Sequence, residues 1–139
     1  MRPVLFAILI FAAASASAEE VKPSDAVKKF CAEISYRMNL CQLAGETALL
    51  TLSRDGMDHV SACVIEAKQS SRPRFQSARD ATETNKTAQS SIKDVYADFL
   101  AAIDGALPRP GDHVALYEHR MEQSKAALKR ACIRIDLDL

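Results

Sequence analysis

Five side chains carry most of the chemistry that this sequence offers: Cys31, Cys41, Cys63, Cys132 and His59. His59 and Cys63 stand four positions apart. On a helix that spacing puts an imidazole and a thiol on one face, a placement that can chelate a metal, with Cys41 available as a third ligand. The same residues suggest thiol–disulfide exchange, but such centres use closely spaced cysteines of lowered pKa, as in CxxC, and the chain contains no CxxC. An even number of cysteines in an exported chain has a third use, two structural disulfides, and that is the expectation. A metal- or redox-handling centre at Cys41, His59 and Cys63 is the alternative.

Other chemistry is sparse. His113 and His119 are six apart, about 120° from a shared helix face, and make a poor chelating pair. Met38, Met57 and Met121 fall on helical seams and read as core packing rather than as a thioether copper site. No GxSxG elbow, HExxH helix or glycine-rich phosphate loop is present, and Asp136 and Asp138 read as a solvated C-terminus. The expectation is a non-enzymatic protein with no catalytic residue, resident metal or cofactor.

Export is read from residues 1–18, MRPVLFAILIFAAASASA. One basic residue, Arg2, precedes an apolar run from Val4 to Ala14, and Ala16-Ser17-Ala18 forms a small-x-small cleavage site. The run is too short to span a bilayer, which takes roughly 20 residues. The mature chain is therefore expected to be a single domain, 19–139, periplasmic or secreted, with a leader of bacterial type. Asn85-Lys86-Thr87 matches a glycosylation acceptor, a triplet common by chance. Lys and Arg together number 18, as do Asp and Glu, for a formal net charge of 0. No bulk charge points to nucleic acid, and no later segment is apolar enough for membrane insertion after cleavage.

The elements that must position the cysteines are helices. The chain has only 4 Gly and no Trp, and apolar residues recur at helical spacing. After a cap at Ser24-Asp25, the residues Val27, Cys31, Ile34, Met38, Cys41, Gly45, Ala48 and Leu52 alternate in steps of four and three. Phe30, Leu40, Leu43 and Leu49 widen this stripe, as for a helix with more than one neighbour. Arg54-Asp55-Gly56 ends it, with Gly56 suited to the left-handed position. Met57, Val60, Val64 and Ala67 mark a short second helix that runs out at Ser70-Ser71-Arg72-Pro73. The rhythm returns at Ile92, Val95, Phe99, Ala102 and Ala106, and Leu107–Gly111 is a loop. Asp112 is placed to cap a last helix carrying Val114, Tyr117, Met121, Ser124, Leu128, Ala131 and Ile135. Such seams bury best by antiparallel packing, so the fold expected is all-α, a bundle of three to four helices stapled by two disulfides.

Height along the bundle decides the pairing. Within one helix Cys31 and Cys41 are separated by about 15 Å of rise, and a disulfide spans Cα atoms about 4.4–6.8 Å apart. In a hairpin turning between Leu52 and Met57, Cys41 and Cys63 are staggered by about 7 Å, Cys31 and Cys63 by about 22 Å. Cys132, near the end of an antiparallel last helix, returns to the level of Cys31. The expected bonds are Cys41–Cys63 and Cys31–Cys132.

One segment departs from background. From Lys68 to Lys93 the bases Lys68, Arg72, Arg74, Arg79, Lys86 and Lys93 outnumber the acids Asp80 and Glu83, and Gln69–Ser91 is poor in large apolar residues. A helix polar all round is exposed, docked on a partner or unstable, so helix and mobile loop both remain open for 69–91. Lys68, Arg72, Arg74, Arg79 and Lys86 are the candidate partner-binding residues, for a protein or an anionic envelope polymer.

Overall fold

The structure, a computed structural model, describes residues 21–139; the leader expected at 1–18 lies outside them. Four helices follow one another: α1 Pro23–Thr51, α2 Arg54–Ala81, α3 Lys86–Asp104 and α4 Val114–Leu137, with no strand among the described residues. Short connections make chain neighbours antiparallel. α1 lies between α2 and α4, and α3 closes the bundle against those same two helices. Phe30, Ile34 and Met38 of α1 meet Val64, Ile92, Phe99, Tyr117 and Met121 in one continuous core. The three-four seams are buried along most of their length, but Leu52 and Met57, at the α1–α2 turn, are exposed.

Both disulfides join the expected cysteines. Cys31–Cys132 ties α1 to α4 and Cys41–Cys63 ties α1 to α2, with Cα separations of 6.0 and 5.6 Å. No cysteine among the described residues is free. Such bonds belong to an oxidising compartment, and no helix among the described residues is long and apolar enough to cross a membrane.

Several local expectations are corrected. α1 begins at Pro23, whose missing N–H costs nothing in a first turn; Lys22 is its cap and makes no side-chain bond, while Asp25 faces the positive end of the helix dipole. The left-handed residue that ends α1 is Leu52, with φ 49°, and not Gly56. Gly56 sits in the first turn of α2, where its N–H donates to the capping Ser53 Oγ at 3.0 Å and its backbone rests on Ala48. The Leu52 side chain is almost fully exposed, so little opposes a better residue there. Leu52→Gly is expected to raise stability by about 0.5–1 kcal/mol, the left-handed strain less the added chain entropy, measured as a shift of the urea midpoint.

The largest correction concerns the second helix. α2 does not stop at Ser70–Pro73 but continues through Pro73 to Ala81. An interior proline costs about 3 kcal/mol, yet both flanks are anchored: Ala67 and Ser71 are buried before it, Ala78 and Thr82 after it. Phe75 stacks on Tyr96 of α3 with ring centroids 4.2 Å apart, and both rings pack against Phe30 at 6.2 Å. Residues 69–91 are therefore helix, a turn at 82–85, and helix again. The polar side chains bond locally. Thr82 Oγ1 donates to Ala78 O at 2.9 Å, and Asn85 Oδ1 caps α3 by accepting from Ala88 N at 3.0 Å. Asn85 Nδ2 also donates to Asp138 O at 2.8 Å, tying this turn to the end of α4.

At the start of α4 the cap is His113, whose Nδ1 accepts from Leu116 N at 3.3 Å, and not Asp112. Asp112 instead accepts from Arg109 N and from both terminal nitrogens of Arg120.

Candidate functional site

α1 carries two apolar stripes. One faces the core through Val27, Phe30, Ile34, Met38, Cys41 and Ala48. The other lies on the opposite side, at Tyr36, Leu40, Leu43 and Leu50, whose exposures are 55%, 37%, 61% and 73%. With Thr47 between them, these positions repeat in steps of four, three, four and three, the rhythm of the buried seam. Of the residues expected to widen the core stripe, Phe30 and Leu49 do pack inward. Leu40 and Leu43 do not, because α2 and α4 flank α1 and nothing among the described residues lies behind it. Single exposed leucines are ordinary; a repeat of them along one helix is not.

Beside this stripe runs a groove between α1 and α2. Near the hairpin turn it opens into a cavity of about 520 Å³, walled by Leu40, Leu43, Ala44 and Thr47 on one side and by Gly56 and His59 on the other, with Asp55 at its end. Toward the start of α1 it holds a shallower hollow of about 360 Å³ at Lys29, Glu33, Tyr36 and Arg74. Arg37 bridges the groove, 2.8 Å from Glu33 and 2.9 Å from Glu66, and these carboxylates, Glu33 first, raise its pKa. The Cys41–Cys63 bond links the two helices covalently beneath the groove.

The metal alternative finds no thiolate here. Cys41 and Cys63 are joined to each other, and His59 is an exposed side chain at the groove wall. Among the described residues no three His, Cys, Asp or Glu side chains cluster as a metal site would require.

The five basic candidates are not brought together. Arg74 borders the α1 side of α2, whereas Lys68 reaches α3 and pairs with Asp104 at 2.6 Å. Arg79 pairs with Asp80 at 2.9 Å and lies over the Phe75 ring. Arg72 and Lys86 are exposed and, like Arg74, form no ion pair among the described residues. The exposed acids Asp94, Asp98 and Asp104 of α3 follow directly on the basic run, so the α2–α3 face is mixed in charge rather than basic.

A buried polar knot fixes the same hairpin to α4. The Tyr117 hydroxyl donates to Ala106 O at 2.9 Å and lies 3.3 Å from the carbonyl oxygens of Cys41 and Gln42. Burial pushes its pKa up. One helical turn on, Arg120 holds Asp112 at 2.8 and 2.7 Å. That hydrogen-bonded guanidinium lowers the Asp112 carboxyl to about 2. An unfolded aspartate titrates near 4. The folded pKa is depressed, so the contribution is fully present above about pH 4 and disappears as pH falls through about 2. It amounts to about 2 kcal/mol. Urea midpoints measured from neutral to acid pH are expected to fall over that window, and Asp112→Asn is expected to flatten the fall.

Comparison with protein families, curated proteins and solved structures returns no match. The site is read from its own chemistry. In the sequence the basic run stands out, whereas Leu40 and Leu43 read as widening the core stripe and Tyr36 and Leu50 belong to no assigned face. The signal of the exposed stripe was a second four-three repeat set two positions from the first.

Proposed function

We propose that this protein is exported, non-enzymatic and works by contact with another macromolecule, and that its contact surface is the outer face of α1 with the adjoining α1–α2 groove. The observation that carries this reading is the exposed stripe of Tyr36, Leu40, Leu43 and Leu50 on a helix held rigid by both disulfides. Exposed apolar rows of this kind mark contact sites on soluble domains. A rigid α1 arrives at its partner already ordered, which spares the entropy of immobilising a loop.

The basic residues of α2 take a lesser part. Arg74 stands at the end of the groove and belongs to the proposed surface, while Lys68, Arg72, Arg79 and Lys86 face a region where acids balance them.

Affinity capture with the oxidised mature chain as bait tests the reading. Leu43→Asp/Leu50→Asp is expected to abolish capture with little change in melting temperature, since both side chains are mostly exposed. Arg72→Glu/Arg79→Glu is expected to leave capture largely intact. Loss of capture with the second pair and not the first would move the contact surface to the α2–α3 face.

A further inference from the structure

We propose that the Cys31–Cys132 bond is a thiol-exchange site, opened by the thiolate of a dithiol reductant and flanked by Lys28 and Lys129, while Cys41–Cys63 is purely structural. This goes beyond the contact-surface reading and does not depend on it. Three observations carry it.

The bond is within reach of solvent. Cys31 and Cys132 are both half-buried, and both line an open hollow of about 350 Å³ between the start of α1 and the end of α4. Thiol–disulfide exchange needs the attacking thiolate to reach a sulfur, so access is the first condition on its rate.

Each cysteine also has a lysine beside it. Lys28 stands one turn before Cys31 and Lys129 one turn before Cys132, and both lysines line the same hollow. Neither forms an ion pair among the described residues. Asp136 borders the hollow as well, which leaves two ammonium groups against one carboxylate. Neighbouring ammonium groups favour a thiolate over a thiol, and a more stable thiolate leaves faster.

The other bond meets neither condition. The positions one turn before Cys41 and Cys63 are Met38 and Val60, both buried. Cys63 is half-buried, but attack there must expel the fully buried Cys41 as a thiolate into the core. Burial disfavours that charge. Arg37, four residues before Cys41, is already held by Glu33 and Glu66.

In the exchange, the reductant's thiolate bonds to one sulfur of the pair and the S–S electron pair leaves on the other. Lys28 or Lys129 faces that thiolate until it takes up a proton. The reductant's second thiol, deprotonated in turn, then attacks the mixed disulfide. The protein ends with two thiols and the reductant with one disulfide. The sequence separation of 101 favours the closed bond at equilibrium, whereas access and the leaving group set the rate.

Timed reduction of the oxidised mature chain with dithiothreitol is the test, stopped by acid and followed by thiol alkylation and peptide mass mapping. At early times label is expected on Cys31 and Cys132, with an initial rate about ten-fold or more above that of Cys41 and Cys63. Lys28→Gln/Lys129→Gln is expected to slow the first reaction several-fold, most at low salt. The same variant is expected to leave the Cys41–Cys63 rate and the melting temperature unchanged, since both lysines are exposed. Lys28→Arg/Lys129→Arg, which keeps the charge, is expected to retain the native rate. Equal rates at the two bonds, earlier reduction of Cys41–Cys63, or a glutamine variant as fast as the native chain overturns the proposal.

Discussion

Replacing Cys31 and Cys132 together by serine is expected to lower the unfolding free energy by about 5 kcal/mol. That bond closes a loop with a sequence separation of 101 residues, and the entropy removed from the unfolded chain grows with loop length. The Cys41–Cys63 bond, with a separation of 22, is expected to contribute about 3 kcal/mol by the same reasoning. Small domains have about 5–15 kcal/mol in all, so loss of the long-loop bond brings the fold near its limit. Its ends also hold the start of α1 against the end of α4, where the exposed Val21, Ile133 and Leu137 add little burial. Both cysteines are only partly buried, so serine hydroxyls there still reach water. Equilibrium unfolding in urea of the two double-serine variants compares the bonds directly. A smaller loss for Cys31/Cys132 than for Cys41/Cys63 would contradict the loop-closure account.

Gly45→Ala is expected to cost about 3–5 kcal/mol, combining overpacking with a displaced buried hydroxyl. Gly45 lies on the inner face of α1, where an added Cβ would run into the Tyr117 hydroxyl, with Ala106 O only 3.0 Å away. Neither neighbour gives way easily. The hydroxyl is held by its bond to Ala106 O, and the backbone of α3's end is fixed by its own turn. If Tyr117 withdraws, three carbonyls lose the group that faces them. Tyr117→Phe alone keeps the ring and removes one donor, an expected cost of about 1 kcal/mol. In the double variant the clash shrinks, so Gly45→Ala is expected to cost clearly less in the Tyr117→Phe background than in the native chain. Equal costs in the two backgrounds would show that the Tyr117 hydroxyl is not what Gly45 accommodates.

The helical bundle and both disulfides were legible because they depend on rhythm and height. Seams in steps of four and three define which faces are buried, and counting residues along a hairpin brings Cys41 to Cys63 and Cys132 to Cys31. What sequence reasoning missed depends on small residues and distant partners. Ala78, Ala88, Ser71 and Thr82 carry no strong hydrophobic signal, yet all are buried and hold α2 and α3 in place. Phe75 is the one large apolar residue of 69–91, and its stacking partner, Tyr96, lies on the next helix. With those contacts hidden, Pro73 appeared to be a stop. The basic run looked unbalanced because its boundary at Lys93 falls just before Asp94, Asp98 and Asp104. On α1 the error ran the other way: Leu40 and Leu43 had the right spacing for a core, and only the positions of the other three helices show that no part of the described chain covers them.

These features combine in one device. Cys31–Cys132, Cys41–Cys63 and the Tyr117 hydroxyl all anchor the inner side of α1, between Cys31 and Gln42. The outer side is thereby presented as a straight, fixed row. The most direct test of that claim is site-specific photo-crosslinking of the native protein in the cells that make it, with a photoreactive side chain placed in turn at Leu43, Arg72 and Ile133. The expected result is a crosslinked species from position 43 and none from 72 or 133. Crosslinks from position 72 with none from 43 would contradict the account and return the contact surface to the basic side of α2.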